Sequence, residues 1–231
     1  MHPRMKSFVM LMFVVLALIL IFIQREKRAK EMKNSDALQS IKLPPPRSRG
    51  IVSVEEAILK RRSERSYNSQ PLTWKEISQL LWAAQGITDV KMGLRSAPSA
   101  GAVYPIEIYV VFEEGLYHYI PDGHTLEKLS NEDLRPALCR AALGQKPIED
   151  APMDIVITAV YERTAGKYGE RGSRYVHMEA GHVAENIQLQ AVAAGLGSVP
   201  IGAFSDEGVA KALSLPRECS PLYIIPIGSV Q

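Results

Sequence analysis

The sequence predicts an α+β fold in which helices flank a largely antiparallel sheet. Helical and strand patterns follow one another without the strict strand–helix–strand alternation that a parallel sheet requires. Two strand patterns, 106–112 and 116–120, are separated only by Glu-Glu-Gly, which indicates an antiparallel hairpin. The chain has 231 residues, 46% hydrophobic and 23% charged, which is enough for one folded domain.

Two capping boxes mark the first helices, because Ser53 is followed by Glu56 and Thr73 by Glu76. The first box opens a short helix whose apolar residues are expected to face the core: Val54, Ala57 and Ile58. The second box opens a helix with apolar residues at helical spacing: Ile77, Leu80, Leu81 and Ala84.

The second half of the sequence mixes both kinds of element. Residues 121–123 (Pro-Asp-Gly) predict a turn, residues 163–171 a glycine-containing charged loop, and Gly195 the end of a long helix. The predicted elements are a helix over 131–143, a strand over 154–160, a helix over 174–194, a short strand over 198–203, a helix over 206–213 and a strand over 222–227.

Three parts are predicted along the chain: an N-terminal membrane anchor over 1–24, a charged and proline-rich linker over 25–50, and a globular domain over 51–231. The anchor prediction rests on the uninterrupted apolar run 8–23, which as a helix spans about 24 Å. A cleaved signal peptide and a buried helix are the alternatives, although no small-residue cleavage site follows the run.

Basic residues flank the apolar run on both sides, and more of them follow it than precede it. The positive-inside rule therefore predicts a single-pass membrane protein whose globular domain faces the cytoplasm. The three consecutive prolines of the linker favour a stiff, extended spacer.

Composition excludes several function classes. The net charge is only +2, with much of the basic excess in the first 50 residues, so no nucleic-acid surface is expected. The two cysteines have no CxxC spacing and fit a reducing compartment, although one disulfide stays open. Without HExxH, GxGxxG after a strand, GxxxxGK[ST] or GxSxG, we expect no metal site, Rossmann site, P-loop or serine-hydrolase triad.

A basic cluster at the end of the first helix is the first candidate site: Arg61, Arg62, Ser63 and Arg65. Guanidinium groups and a hydroxyl can bind a phosphate through charge-assisted, forked hydrogen bonds. Alternatively, the arginines only complement the dipole at the helix C-terminus.

Two loops rich in small residues could let their backbone approach a ligand closely, although each could equally be an ordinary turn. The first lies before the strand at 106: Pro98, Ser99, Ala100 and Gly101. The second follows the long helix: Pro200, Ile201, Gly202 and Ala203.

Lys167 and Tyr168 are adjacent before the long helix and could act as an acid/base pair, or could belong to a solvated loop. Within that helix, Glu179, His182 and Asn186 share one face and suggest a hydrogen-bonded helix contact, for which a subunit interface is one candidate.

Taken in order, these segments resemble the nitroreductase superfamily over about residues 57–229. The motifs are RRSER, RSAPSAGAVYPIEIY, LYHY, YERTAGKYGERGSRYVHMEAGHVAENIQLQAVAAGLGSVPIGAF and PLYIIPIG. Within the superfamily, PSAGAVYP and the KYGER–RY–EAGH segment are similar to the SagB-type dehydrogenase, or thiazole-oxidase, branch.

The resemblance implies an α+β homodimer that binds FMN at its interface, with both chains contributing. It implies that Arg61, Arg62, Ser63 and Arg65 hold the phosphate and ribityl chain. It implies that Pro98–Gly101 reach the flavin bound to the other subunit. It implies that Pro200–Ala203 lie along the isoalloxazine ring, and that Lys167 and Tyr168 take part in proton removal.

Three functions remain open from the sequence. The first is a dehydrogenase of SagB type that oxidises a heterocycle or a similar small or peptidic substrate by hydride transfer to FMN. The second is a reductase of nitro compounds or quinones that uses NAD(P)H as a transient electron donor. The third is a non-catalytic flavin-fold scaffold tethered to a membrane.

Overall fold

Seven antiparallel strands form the central sheet of the protein, whose computed structural model describes residues 40–230. The strands in chain order are β1 (Ser40–Lys42), β2 (Ile87–Asp89), β3 (Leu94–Arg95), β4 (Ile106–Phe112), β5 (Gly115–Ile120), β6 (Thr125–Ser130), β7 (Met153–Val160), β8 (Gly197–Ser198) and β9 (Cys219–Gly228). The sheet order is β1-β6-β5-β4-β7-β9-β8, and β2 and β3 form a separate hairpin. Every neighbouring pair in the large sheet is antiparallel.

Seven helices pack around this sheet in the described part of the chain. They are α1 (Val54–Lys60), α2 (Trp74–Gln85), α3 (Arg135–Ala141), α4 (Pro147–Asp150), α5 (Tyr161–Tyr168), α6 (Gly172–Ala193) and α7 (Asp206–Ala212). Short 3-10 turns cover Ala100–Ala102 and Gly169–Arg171.

Two hydrophobic clusters lie on opposite faces of the sheet, because alternate residues of a strand point to opposite sides. On β7, Ile155 and Ile157 join the cluster that includes the apolar faces of α2 and α6. Val156 joins the second cluster, with residues of α3, α4 and α7. Helix α6 therefore packs against the middle of the sheet, and the loops at its two ends are held by the core.

The α+β architecture with an antiparallel sheet is confirmed. The β4–β5 hairpin and the capping box of Thr73 and Glu76 form as expected, and the predicted apolar face of α2 is buried. Gly195 follows the long helix with a positive φ of 75°, as a C-terminal capping glycine does. Strand β6 was not predicted, because its sequence TLEKLS lacks a long β-branched run.

The predicted orientation of α1 is wrong for two of its three apolar residues. Ala57 is buried, but Val54 and Ile58 are 66% and 58% exposed, and Leu59 is 72% exposed. Helical periodicity identifies an apolar face without indicating what covers it. In this helix the face points away from the rest of the described chain.

Part of the segment 25–50, predicted as a linker, belongs to the folded unit, which begins at Ser40. Its strand β1 pairs with β6, and the residues after it are bonded to α2. Ser78 donates a hydrogen bond to the Pro44 carbonyl at 2.6 Å. The Arg47 N–H donates to Gln79 Oε1 at 2.8 Å.

No helix among residues 40–230 is long and apolar enough to cross a membrane. The predicted single-pass membrane localisation is corrected accordingly, and no side of a membrane is assigned to the domain. The apolar run behind the predicted anchor over 1–24 lies outside the described residues.

Candidate functional site

The arginine segment pairs with the strand that follows α6. Ser63 forms a parallel bridge with Ser198, and the Glu64 N–H donates to the Ser198 carbonyl at 3.1 Å. This pairing brings the predicted phosphate-binding segment 61–65 beside the predicted ring-contacting segment 200–203. Two parts of the site that lie far apart in sequence are therefore neighbours.

The three arginines use little of their hydrogen-bonding capacity within the chain. Arg62 Nη1 donates to two carbonyls at the end of α1, at 3.0 and 2.7 Å, so this side chain also caps the helix. Arg65 Nη1 donates to the Ser63 carbonyl at 3.2 Å. Among residues 40–230, Arg61, Arg62 and Arg65 form no ion pair. Their remaining N–H groups can bind an anion.

The segment 200–203 combines a fixed backbone with exposed N–H groups. Ile201 is buried and exchanges two backbone hydrogen bonds with Ile224, at 2.8 and 3.0 Å. Gln145 Nε2 donates to the Ala203 carbonyl at 2.8 Å and fixes the far end. Gly202 and Ala203 are exposed, and their N–H groups meet no acceptor in the described part of the chain.

Lys167 and Tyr168 converge on the other predicted loop, at Gly101. Lys167 Nζ donates to the Gly101 carbonyl at 3.3 Å. A Cβ on Gly101 would lie 2.5 Å from Lys167 Nζ and 2.6 Å from the Tyr168 hydroxyl oxygen. Both side-chain tips therefore approach the loop as closely as a glycine permits.

The prediction of a loop for residues 163–171 is wrong, because Lys167 and Tyr168 belong to helix α5. The Tyr168 ring packs edge-on against that of Tyr175 on α6, with centroids 5.1 Å apart. The glycine content of the segment suggested a loop, whereas α5 is stabilised by packing against α6.

Within one chain the predicted residues form two groups at different positions along α6. Arg61 Nη1 lies 3.5 Å from Gln188 Oε1 on α6. Glu179 on the same helix faces Ser99, in the group of Lys167. At 1.5 Å per residue, Glu179 and Gln188 are separated by about 14 Å along the axis. The arginines and Lys167 therefore do not meet at one point of a single chain.

Two cavities lie along these elements. One of about 230 Å³ is lined by Pro98, Ser99, Ala100, Tyr175, Met178, Glu179 and His182. Another of about 430 Å³ lies between residues 47–54, α1, α2 and α6 and contains no predicted site residue. We therefore assign the candidate site to the smaller cavity and its neighbours Lys167 and Tyr168.

The predicted polar face of α6 divides in the structure. His182 is exposed, whereas Asn186 Nδ2 donates to the carbonyls of Ala83 and Ser96 at 3.1 and 3.4 Å. Glu179 is only 2% exposed, and burial raises the pKa of its carboxyl. Helical spacing in the sequence had predicted one shared polar contact for Glu179, His182 and Asn186.

The contacts around Glu179 were not predicted from the sequence. They involve Gln85, Arg95 and Tyr104, which support the Pro98–Gly101 loop. Arg95 and Tyr104 both belong to the motif RSAPSAGAVYPIEIY, whereas Gln85 had no sequence signal. Among residues 40–230, no group of three His, Cys, Asp or Glu side chains could hold a metal ion.

A family model described as the nitroreductase family matches residues 58–229. The chain belongs to the nitroreductase family. The resemblance predicted from the ordered motifs is therefore confirmed, and the protein is an oxidoreductase of this family.

Three relatives illustrate the range of the match. A Methanocaldococcus jannaschii protein, provisionally named a nitroreductase, is 46% identical over 183 residues, which are 77% of this chain and 91% of that protein. A Ralstonia eutropha JMP134 crystal structure with the same provisional name has a TM-score of 0.76 and 32% identity, covering 85% of this chain and 91% of that chain. The Escherichia coli microcin B17-processing protein McbC is 29% identical over 172 residues, 69% of this chain and 63% of that protein.

Proposed function

We propose that this chain binds FMN between two copies of itself and acts as a dehydrogenase of SagB type, which oxidises a heterocycle or a similar small or peptidic substrate. FMN, when bound, supplies the acceptor for the hydride that leaves the substrate. The observation that carries the proposal is the convergence of Lys167 and Tyr168 on the Gly101 loop. The similarity to a peptide-processing protein, McbC, supports the choice of branch.

The residues of the arginine segment fit the phosphate of FMN. Arg61, Arg62 and Arg65 bring three guanidinium groups that have no carboxylate partner within residues 40–230, and such groups bind phosphate through forked, charge-assisted bonds. The Ser63 hydroxyl is exposed beside them. We propose that these four residues hold the phosphate and ribityl chain.

The segment 200–203 fits the flavin ring. The backbone of this segment is fixed through Ile201, and Gly202 and Ala203 beside it carry exposed N–H groups. These groups can donate hydrogen bonds to a heterocycle that gains negative charge. An added Cβ on Gly202 would meet nothing closer than the Tyr223 ring, at 3.7 Å. We propose that Pro200–Ala203 lie along the ring.

A homodimer is the proposed assembly. The arginines and the Pro98–Gly101 loop lie about 14 Å apart along α6, so a second chain can supply whichever group the first does not bring to the same flavin. Val54, Ile58 and Leu59 expose an apolar face of α1, and Met178 on α6 is 48% exposed. Exposed apolar patches of this kind mark association surfaces.

Lys167 and Tyr168 are the proposed proton carriers. The Lys167 amine reaches the Gly101 carbonyl, and the Tyr168 hydroxyl approaches the same residue, beside the cavity of about 230 Å³. A substrate in that cavity would lie within reach of both groups. Either one would take the proton that leaves the substrate with the hydride.

The second candidate is a reductase that uses NAD(P)H to reduce nitro compounds or quinones on the same FMN. The relative from M. jannaschii favours it, because a protein that is 46% identical carries the name nitroreductase. In this reaction the chain would hold the same cofactor, and Lys167 would contribute less, because the hydride arrives from NAD(P)H.

One experiment distinguishes the two candidates. The protein is purified with FMN and tested with a thiazoline-containing peptide, and separately with NAD(P)H and a quinone. For the dehydrogenase we expect Lys167→Ala to abolish oxidation of the peptide while FMN remains bound. Lys211→Ala, an exposed lysine on α7, is the matched control and should keep full turnover.

Bleaching of the flavin by NAD(P)H under anaerobic conditions, with Lys167→Ala as active as the wild type, would favour the reductase instead. A colourless protein that takes up no FMN at any concentration would refute both candidates.

A further inference from the structure

A buried carboxyl lies directly behind the Pro98–Gly101 loop. Glu179 is 2% exposed, and its Oε1 atom accepts no hydrogen bond from residues 40–230. The carboxyl faces the Ser99 hydroxyl and the side-chain amide of Gln85, whose buried Nε2 atom also has no hydrogen-bond partner in that part of the chain. Burial raises the pKa of the Glu179 carboxyl, because a charged carboxylate is poorly solvated there.

From Ser99 a chain of contacts leads to Gln85. The Ser99 hydroxyl accepts from the Tyr104 backbone N–H at 2.9 Å, so its own proton is free to point at Glu179. The Arg95 guanidinium lies 4.4 Å from the centroid of the Tyr104 ring. Arg95 Nη1 donates to Gln85 Oε1 at 3.1 Å, and the Gln85 amide lies beside Glu179.

These contacts border a backbone segment of unusual conformation. Gly101, Ala102 and Tyr104 all have positive φ, at 62°, 52° and 47°. Such conformations of non-glycine residues cost about 1–3 kcal/mol each and persist only where their surroundings impose them. Arg163 on α5 adds one more restraint, since its Nη1 donates to the Tyr104 carbonyl at 3.1 Å.

The conformation of this segment determines where the Gly101 carbonyl points. That carbonyl is the acceptor of the Lys167 amine, and the absence of a Cβ on Gly101 leaves room for both proposed proton carriers. If residues 99–104 relaxed to negative φ, the carbonyl would turn away and the contact would be lost.

We propose that Glu179 is a positioning residue, whose buried carboxyl lies against Ser99 and holds residues 99–104 in the conformation where Gly101 meets Lys167. Glu179 touches neither of the proposed proton carriers and acts on them through the loop. The proposal rests on the proposed function, because the loop matters for turnover only if Lys167 and the flavin are used there.

The test is amide hydrogen exchange of the full-length protein, followed by mass spectrometry of a peptide that covers 98–104. In Glu179→Ala we expect exchange in this peptide to be about tenfold faster, since the buried polar group behind Ser99 is lost. Glu179→Gln keeps the shape and the acceptor for Ser99, so exchange close to the wild type is expected. Asp154→Asn, which changes a second buried carboxyl in β7, is the matched control and should leave this peptide unchanged.

A second variant covers the case in which Glu179→Ala does not fold. Ser99→Ala removes the other partner of the same contact from a loop residue, and it should accelerate exchange in 98–104 by a similar factor. If both single variants fold, the double variant should be no faster than either one, because both remove one interaction. Wild-type exchange in Glu179→Ala, or additive effects in the double variant, would overturn the proposal.

Titration of the same samples with FMN distinguishes this proposal from the proposed function. If Glu179→Ala changes exchange in 98–104 but the protein never binds FMN, only the flavin site is refuted. If the protein binds FMN but neither Glu179→Ala nor Ser99→Ala changes exchange in 98–104, only the role of Glu179 is refuted. Where a turnover assay is established, kcat should fall in Glu179→Ala and recover in Glu179→Gln.

Discussion

Replacing Gly101 by alanine is the most direct perturbation of the candidate site. The new Cβ would lie 2.5 Å from Lys167 Nζ, 2.6 Å from the Tyr168 hydroxyl oxygen and 2.9 Å from Lys167 Cε. Ordinary carbon contacts begin near 3.4 Å, so both side-chain tips would have to move by about 1 Å. The clashing atoms are the ends of flexible side chains, and they can move without unfolding the protein.

The change should therefore separate stability from activity. An alanine at a φ of 62° costs about 1 kcal/mol of folding stability, and the neighbouring Ala102 already adopts a φ of 52°. A displacement of about 1 Å at a catalytic group lowers turnover by roughly a hundredfold. We expect Gly101→Ala to remain folded and yellow, with kcat reduced by about two orders of magnitude.

The assay is oxidation of a thiazoline-containing peptide by the FMN-loaded protein, beside thermal unfolding of the same samples. Gly166→Ala is the matched control, because Gly166 lies in helix α5 with nothing within 4 Å of an added Cβ. It should keep its activity and gain about 0.5–1 kcal/mol in stability. Full turnover in a folded Gly101→Ala variant would refute the assignment of Lys167 and Tyr168 as proton carriers.

Three further predictions concern the cofactor, the assembly and the core. Arg62→Gln should weaken FMN binding by roughly 10- to 100-fold in a fluorescence titration, with Arg217→Gln, an exposed arginine, as the unaffected control. Leu59→Asp should shift the protein from dimer to monomer in analytical ultracentrifugation, whereas Leu143→Asp, 74% exposed on another surface, should not. Burial raises the pKa of Asp154 well above 3.8 in the folded protein. The free energy of unfolding is therefore unaffected by this carboxyl below pH 3.8, and it decreases as the pH rises towards the folded-state pKa. In denaturant titrations at several pH values, the free energy of unfolding of Asp154→Asn should decrease less with rising pH than that of the wild type. The same pH dependence in both proteins would contradict this prediction.

The fold could be predicted because its signals are local. Apolar spacing placed Leu80 and Leu81 in the core, and the Glu-Glu-Gly segment gave the β4–β5 hairpin. The orientation of α1 could not be predicted in the same way. Val54 and Ile58 form an apolar face, but the sequence of one chain does not say whether that face meets its own core or another molecule.

The site residues came from ordered motifs rather than from spacing, and the contacts between them came only from the structure. Lys167 and Gly101 are far apart in sequence, and no local pattern predicts that they meet. Glu179 was predicted to be one of three equivalent polar residues on α6. Its burial depends on Gln85 and Ser99 from two other elements, which is a tertiary effect that periodicity does not contain.

Helix α6 separates the two residue groups of the proposed site within one chain. Near its C-terminal end Gln188 meets Arg61, and two turns and a half towards its N-terminus Glu179 supports the loop that meets Lys167. The anion-binding and proton-transfer groups of one chain therefore lie at positions about 14 Å apart along the helix axis. The exposed apolar residues of α1 lie beside the arginines, because Arg61 directly follows that helix. A second copy that covered this face would reach the arginine end of α6, and its own Gly101 loop could then complete the site.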